Sequence, residues 1–195
     1  MKTIIAATAL AAAAFSSGAS AQKLSPAVIA VVDTERVSRE CTACVAAQTQ
    51  LRSLLQQAQT RQTQLQTSLR TEGAPIQAAV TALAGKAPDA ALQGRIRAFQ
   101  VKEDSANTEL QNRTRTLQST QANVNQQIGT RLQPIIAAVM QARGASLVVD
   151  KGATLASAAN IDVTNDVLAQ LNQQLPSVSV TPLPAQPNGA APQGR

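Results

Sequence analysis

Apolar residues are distributed along this chain in two different patterns. Two short continuous runs, residues 27–32 and 146–149, are rich in β-branched residues, which is typical of strands that are covered on both faces. Between them, residues 45–143 consist mostly of Gln, Ala, Leu, Thr and Arg, with apolar positions at helical spacing. The pattern therefore predicts an α+β protein, mainly α, in which a small β-sheet body carries a long, protruding α-helical coiled-coil hairpin, which we call the arm.

The outgoing half of the arm follows a heptad repeat. Two rows of residues seven positions apart interleave to form an a/d seam. The rows are Leu55, Gln62, Leu69, Ile76 and Leu83, and Leu51, Ala58, Leu65, Glu72 and Ala79. The polar residues Gln62 and Glu72 weaken the predicted seam, which favours an adaptable clamp over a rigid strut. Gly73 and Pro75 both destabilise a helix interior and predict a kink.

The returning half of the arm shows the same repeat. Its rows are Ile96, Glu103, Leu110, Leu117 and Val124, and Leu92, Phe99, Ala106, Arg113 and Thr120. Glycine and proline interrupt the helical pattern around residues 85–89, and this segment is the predicted tip of the hairpin. Gly144 follows the last helical position and predicts the end of the returning helix.

The residues that follow each apolar run predict how the body continues. Asp33 and Thr34 come after the first run and offer an N-cap for a helix. Lys151 and Gly152 come after the second run and predict a turn. Residues 153–156 are then a candidate third strand.

The last part of the chain contains one predicted helix and a tail. Thr164 is the predicted N-cap of a helix that ends near Gln174, with Asp166 placed favourably in its first turn. From residue 176 onwards the chain is rich in Pro, Ser, Gln and Gly. This composition is typical of disordered segments, so residues 176–195 are predicted to be a disordered Pro-rich tail.

The beginning of the chain has the three parts of a secretory signal peptide. Lys2 supplies a positive start, residues 4–15 form an apolar stretch, and Ala19-Ser20-Ala21 is a small-residue cleavage site. The apolar stretch is too short to predict a membrane span. We therefore expect a mature chain that begins near Gln22, outside the cytoplasm.

The composition limits the kind of core that the chain can form. It contains no Trp, Tyr or His, and Phe99 is the sole aromatic residue after the predicted signal peptide. Aromatic side chains supply much of the buried area of ordinary cores. Burial is therefore expected to be spread thinly along an extended seam, and the small body is expected to be stable only as an oligomer.

The net positive charge lies on the arm. Residues 45–145 contain eleven basic and five acidic residues, a net charge of +6. This favours an anionic partner, such as membrane headgroups or an acidic polypeptide, and secretion makes nucleic acid the least favoured one. The candidate client- or anion-binding residues are Arg61, Arg70, Lys86, Arg95, Arg97, Lys102, Arg113 and Arg115. The alternative is that these side chains only form a solvated helix surface.

Cys41 and Cys44 form a C-x-x-C motif between the first apolar run and the arm. At the start of a helix, this motif lowers a thiol pKa and supports disulfide exchange in thioredoxin-like enzymes. The chain lacks the alternating strands and helices of that fold, and it has too few ligands for a zinc site. A structural disulfide between Cys41 and Cys44 is favoured, with two buried thiols as the alternative. Since no other catalytic constellation, metal site or cofactor motif is found in the sequence, we expect a protein that is not an enzyme and has no cofactor.

Three segments resemble the Skp (OmpH) family of periplasmic chaperones. They are residues 29–33 (IAVVD), 147–153 (LVVDKGA) and 161–168 (IDVTNDVL). The order of signal, strand, long helical hairpin, strand pair and terminal helix is similar too and covers roughly residues 1–175. The resemblance implies a homotrimer whose three arms surround an open cavity and hold unfolded outer-membrane proteins without ATP. Some members also contact lipopolysaccharide, but the arm residues for this cannot be matched here one by one.

The predicted function is an ATP-independent periplasmic holdase that captures unfolded outer-membrane proteins between basic arms and prevents their aggregation. The alternatives are a structural coiled-coil envelope protein or adaptor and, third, a C-x-x-C thiol–disulfide oxidoreductase. Lipopolysaccharide or an anionic membrane surface is a further candidate partner, and nucleic acid is not.

The predicted organisation has three parts: a signal peptide at 1–21, a Skp/OmpH-like domain at 22–175 and the tail at 176–195. Within the domain, the body comprises residues 22–44 and 144–175, and the arm comprises residues 45–143.

Overall fold

The computed structural model describes residues 26–184, so the predicted signal peptide and the end of the tail lie outside the described residues. The described chain is mainly helical with a small sheet, which confirms the predicted fold class. In chain order its elements are β1 (Ile29–Val32), α1 (Thr34–Glu40), α2 (Thr42–Ala82), α3 (Ala90–Ala142), β2 (Leu147–Asp150) and α4 (Thr164–Gln174). Short 3-10 turns at Lys151–Ala153 and Ala159–Ile161 connect β2 to α4.

β1 and β2 form a parallel pair in which Ile29 lies opposite Leu147 and Val32 lies opposite Asp150. Parallel neighbours need a long crossover connection, and here α1, α2 and α3 together form it. A bridge between Val31 and Asp162 adds the segment before α4 to β1. Both ends of the arm are therefore held at one small sheet.

The predicted third strand at residues 153–156 is wrong. The Asp150 carboxylate accepts a hydrogen bond from the Gly152 N–H (2.7 Å) and turns the chain into a 3-10 turn directly after β2. The same carboxylate accepts a hydrogen bond from the hydroxyl of Thr34, the first residue of α1. Asp150 therefore ends one strand and links it to the helix that follows the other.

The start of α4 differs from the prediction in the role of Thr164. α4 begins at Thr164 itself, so this residue is not the N-cap. Its hydroxyl instead accepts a hydrogen bond from the Asp33 N–H (2.9 Å), and its own N–H donates to the Asp162 carboxylate (2.9 Å). Asp33 caps α1 as predicted, since its carboxylate accepts from the Arg36 N–H (2.7 Å). The start of α4 is thereby linked to the end of β1.

The core lies where α1, the first turns of α2, the end of α3 and α4 meet. Val37, Ile135, Val139, Val167 and Leu171 are each at most 2% exposed. α2, α3 and α4 each contribute apolar residues at a spacing of three or four positions, which is the spacing of one helix face, and α1 contributes Val37. Among the described residues, the core contains aliphatic side chains and the buried Cys41 and Cys44, and no aromatic side chain.

The two ends of α3 follow from local chemistry. Asp89 caps its start, where the carboxylate accepts a hydrogen bond from the Leu92 N–H (2.8 Å). At its end Gly144 has a positive φ of 64°, a conformation that glycine adopts without steric cost. The Ala145 N–H then reaches the Met140 carbonyl (2.9 Å), which completes a Schellman motif. The prediction that Gly144 ends this helix is confirmed.

The segment after α4 departs from the predicted disorder. Residues 176–184 lie along α3, and Val178 belongs to the core with 9% of its surface exposed. The alternation of Val with Ser at residues 177–180 lets an extended chain turn its apolar side chains to one face. Among residues 26–184, no helix is both long and apolar enough to cross a membrane.

The Asp162 carboxylate gives the body a defined response to acid. Its hydrogen bonds with Thr164 and Lys151 lower its pKa from 3.8 to about 2. A lowered pKa stabilises the folded chain above about pH 4, where the carboxylate of the unfolded chain is also charged. This contribution is lost as the pH falls towards about 2.

We expect Asp162→Asn to lower the midpoint of thermal unfolding at neutral pH because it removes the charged acceptor. The difference from the unsubstituted protein should shrink as the pH falls from about 4 towards 2. Thermal melts followed by circular dichroism at a fixed protein concentration measure both effects. Asp104→Asn is the control, because Asp104 is exposed and forms no ion pair within residues 26–184; an equal loss in both variants would contradict the assignment.

Candidate functional site on the helical arm

α2 and α3 form the arm as an antiparallel helical hairpin. They contain 41 and 53 residues, which correspond to about 60 and 80 Å at roughly 1.5 Å per residue. The rows predicted on the returning half are largely confirmed, since Leu92, Ala106, Thr120 and Val124 are buried. Burial is confined to this narrow face, so most of the arm surface is open to solvent.

The seam of α2 differs from the predicted one by one position in the half near the body. Leu54 and Arg61 are partly buried, whereas Leu55 is 49% exposed and Gln62 is exposed. A seam residue can follow Leu51 after three or four positions, and the sequence has leucine at both. The predicted interruption at Gln62 is therefore wrong, and the seam contains Arg61 instead.

Gly73 allows the arm helices to approach each other closely. A Cβ atom at Gly73 would lie 2.8 Å from Cζ of Phe99, so the ring can lie against α2 only because no side chain is present there. α2 continues as one helix through Gly73 and Pro75. The single aromatic residue of the arm is therefore used to pack the two helices together.

Some of the candidate basic residues hold the two helices in register. The Arg61 guanidinium donates two hydrogen bonds to the Glu109 carboxylate (2.8 and 2.9 Å), and Arg113 donates to the same carboxylate (2.9 Å). These contacts, with Arg61 first and Arg113 second, lower the pKa of Glu109 to about 2. Lys102 binds Glu72 across the arm in the same way (2.6 Å).

The remaining candidates have a different environment. Arg115 donates a hydrogen bond to Asn112 on its own helix. Within residues 26–184, Arg70, Lys86, Arg95 and Arg97 form no ion pair. The last three of these lie at or near the tip, and we call Lys86, Arg95 and Arg97 the basic tip. Within the described residues, the predicted set thus divides into three residues that form ion pairs, Arg61, Lys102 and Arg113, and five that form none.

Two shallow grooves run along the arm between the body and its middle. One has a volume of about 760 Å³ and is lined by residues that include Leu54, Ala58 and Val101. The other, of about 640 Å³, includes Leu51 and Leu55, and Leu117 contributes to both grooves. Polar Gln, Asn, Ser and Thr side chains complete their walls, together with the charged residues Asp104, Glu109 and Arg113 in the first groove and Arg52 in the second. These grooves were not predicted from the sequence, although the adjacent Leu54 and Leu55 in one heptad indicate that one of the two must leave the seam.

The C-x-x-C motif lies at the start of α2 and is closed off from solvent. Cys41 and Cys44 are joined by a disulfide, and the two residues are 0% and 1% exposed. The Cys41 sulfur also accepts a hydrogen bond from the Cys44 N–H (3.2 Å) and so caps the helix. Thiol–disulfide exchange requires access of a thiolate to a sulfur atom, which this burial prevents.

The described residues offer no centre for metal chemistry. Among residues 26–184, no group of three or more His, Cys, Asp or Glu side chains could hold a metal ion. The acidic residues of the body are engaged in helix caps, in turns or in ion pairs such as Lys151 with Asp162 (2.9 Å). The arm, with its grooves and its basic tip, is therefore the candidate functional surface.

Comparison with known proteins gives a consistent result. A family model described as outer membrane protein (OmpH-like) matches residues 28–171. Among solved structures, an outer membrane chaperone (OmpH-like) from Caulobacter crescentus CB15 is similar in fold, with 20% identity and a TM-score of 0.66 over 83% of this chain and 94% of that chain. None of the curated proteins matches this chain.

The contact between Gly73 and Phe99 predicts that two similar substitutions have different effects. Gly94→Ala should stabilise the arm by about 0.5–1 kcal/mol, because alanine favours a helix more than glycine does and no atom lies near the added Cβ. Gly73→Ala should gain less or destabilise, since the Phe99 ring must move. Urea unfolding at one protein concentration compares the two variants, and equal gains would show that the ring does not rest on Gly73.

Proposed function

The chain belongs to the OmpH-like family of outer membrane proteins, and we propose that it is an ATP-independent holdase chaperone that binds unfolded outer-membrane proteins in the periplasm and prevents their aggregation. The observation that carries this proposal is an arm that leaves shallow, partly apolar grooves open beside a weak seam. The likeness to an OmpH-like outer membrane chaperone supports a chaperone role. The family is not one of enzymes, in agreement with the prediction from the sequence.

The grooves suit a client without a fixed shape. Leu51, Leu55 and Leu117 offer apolar contact, while the Gln and Asn side chains around them can donate or accept hydrogen bonds. Dispersion contacts of this kind are individually weak and add up over a long surface. Such a surface holds many segments loosely rather than one segment tightly, which is what a holdase requires.

The basic tip suits an acidic partner. Lys86, Arg95 and Arg97 are exposed and outnumber the one acidic residue of the tip, Asp89. A net positive charge at the end of a long arm attracts an anionic partner and speeds its capture. Acidic segments of unfolded clients are the proposed ligands. Lipopolysaccharide or an anionic membrane surface carries the same type of charge and is a further proposed partner of the tip.

We also propose that the protein is a homotrimer. The sheet of each chain has only two strands, and isolated two-stranded sheets are marginally stable in water. Ile29 and Leu147 lie opposite each other in this sheet and are 44% and 49% exposed, and Val28 beside them is 53% exposed. Joining three bodies through these residues would bury them and place three arms around one cavity.

The proposed location in the periplasm rests on the family and on the sequence. Residues 1–21 have the composition of a cleaved signal peptide. An oxidising compartment also agrees with a disulfide between Cys41 and Cys44.

The two alternative functions are less well supported. A structural coiled coil requires a well-filled seam, and here the seam contains Arg61 and Glu72 while Leu55 points away from it. A thiol–disulfide oxidoreductase requires an accessible sulfur atom, and both sulfur-bearing residues are buried.

The mature protein should suppress the aggregation of an outer-membrane β-barrel protein diluted from urea, without ATP. Arg95→Glu combined with Arg97→Glu should raise the amount of protein needed for half-suppression several-fold, because the tip then repels acidic segments. Light scattering measures both effects. Added salt should reduce the difference between the variant and the unsubstituted protein, since exposed charges are screened.

The matched control combines Arg39→Glu with Arg131→Glu, which changes the net charge equally but near the body. Equal loss in both double variants would show that net charge, and not the tip, matters. Absence of suppression by the unsubstituted protein at several-fold molar excess would refute the holdase function.

Leu147→Lys should convert the trimer into a monomer, because it places a charge at the proposed junction of the bodies. Light scattering coupled to size-exclusion chromatography gives the mass directly. Val101→Lys is the control, since Val101 is 66% exposed and lies on the arm. A monomeric unsubstituted protein, or a trimer that survives Leu147→Lys, would contradict the proposed assembly.

A further inference from the structure

The tail after α4 has a defined place on the arm. Residues 178–183, which we call the strap, lie along α3 at the base of the arm. Their polar partners are Ser119, Asn123 and Gln127. These three residues are four positions apart and so share one face of α3; we call them the polar ladder.

The polar ladder binds the backbone of alternate strap residues. The Gln127 side-chain amide accepts from the Ser179 N–H (3.0 Å) and donates to the Ser179 carbonyl (2.9 Å). The Asn123 amide donates to the Thr181 carbonyl (3.0 Å). The Ser119 hydroxyl accepts from the Leu183 N–H (2.9 Å).

This geometry resembles the pairing of two strands, with side-chain amides in place of a neighbouring backbone. In an extended chain, the N–H and carbonyl groups of alternate residues point to the same side. Gln127 binds both groups of Ser179, as a residue of an adjacent strand would. Since the ladder contacts no strap side chain through these bonds, any extended peptide could make them.

The surface under the strap requires specific side chains at only a few strap positions. Val178 is buried and Val180 is partly buried against the core, whereas Ser179 and Thr181 are exposed. Pro182 has no N–H to donate, and it lies between the two residues that bind Asn123 and Ser119. The surface therefore accepts a short extended segment with apolar residues at alternate positions. Strands of unfolded β-barrel proteins have this pattern.

We propose that the polar ladder is a binding surface for extended segments of unfolded clients, and that the strap occupies it as an internal competitor. This inference rests on the proposed holdase function and names the type of client segment and its contact residues. The strap covers the base of the arm when no client is present. A client segment with alternating apolar residues displaces it and takes over the same backbone hydrogen bonds.

The competition has a predictable size. A segment tethered by a short linker experiences an effective concentration on the order of millimolar. If the strap and the client compete for the ladder, the apparent client affinity is reduced by the fraction of molecules in which the ladder is free. Removal of the strap then raises the client affinity by the inverse of that fraction. For a surface that binds single segments weakly, this factor is on the order of three- to tenfold.

The test compares two shortened chains with the full mature chain. One ends at Leu175 and lacks the strap, and the other ends at Pro184 and keeps it. Fluorescence anisotropy measures the binding of a dye-labelled, urea-diluted outer-membrane β-barrel protein. We expect binding that is about three- to tenfold tighter without the strap and unchanged when only residues 185–195 are removed.

A second variant separates competition from a purely structural role. Asn123→Ala with Gln127→Ala in the chain that ends at Leu175 should abolish the gain in client affinity, because the ladder itself is lost. A labelled peptide of residues 176–184 should bind the chain that ends at Leu175, and fail to bind both this ladder variant and the full chain. Circular dichroism verifies that each variant is folded.

Client affinity that is unchanged or weaker without the strap would overturn the inference and assign the tail a stabilising role. A gain in affinity that persists in the ladder variant would also overturn it, since another surface would then be responsible. The holdase function fails separately, if the full chain does not suppress client aggregation even though the peptide binds to the ladder.

Discussion

The parallel pairing of β1 with β2 is the constraint on which the rest of the structure depends. Two parallel strands cannot be joined by a tight turn, so the connection between them had to be long, and here it has become the arm. Asp33 follows β1 and Asp150 is the last residue of β2, and their carboxylates accept hydrogen bonds from the Arg36 N–H and the Thr34 hydroxyl at the start of α1. Polar contacts at the strand ends thus fix the base of the arm, while the aliphatic core beneath them holds α2 and α3 together.

Away from the body, the arm is held by a small number of specific contacts. Arg61 with Glu109, Lys102 with Glu72, and Phe99 against Gly73 set the register of the two helices. Exposed ion pairs each contribute little to stability, so the register is defined but the helices are not tightly bound. The arm can therefore keep its length and direction while its sides remain adaptable, a combination that suits the capture of shapeless clients.

The sequence predicted those features that follow from a repeated pattern. The rows of α3, the end of that helix at Gly144 and the small sheet were found because periodicity and glycine chemistry are local properties. Prediction from the sequence failed where two adjacent residues fitted the heptad repeat equally well, as at Leu54 and Leu55, because only packing against α3 decides which of them lies in the seam. It also failed where a distant partner decides, as for the bond between Thr164 and Asp33, the pairing of Arg61 with Glu109, and the place of the strap on α3.

The strap covers apolar surface at the base of the arm, where Val178 and Val180 pack against the core. Exposed apolar surface that binds unfolded chains also invites association between copies of the same protein. A tethered strap shields that surface and can still be exchanged, since it is held by Val178 and Val180 and by solvent-exposed hydrogen bonds to Gln127, Asn123 and Ser119. When a client segment enters, it forms the same hydrogen bonds with the ladder, so the number of hydrogen bonds changes little. The balance is then set by the apolar residues that the client brings, which makes the surface selective for segments that need protection.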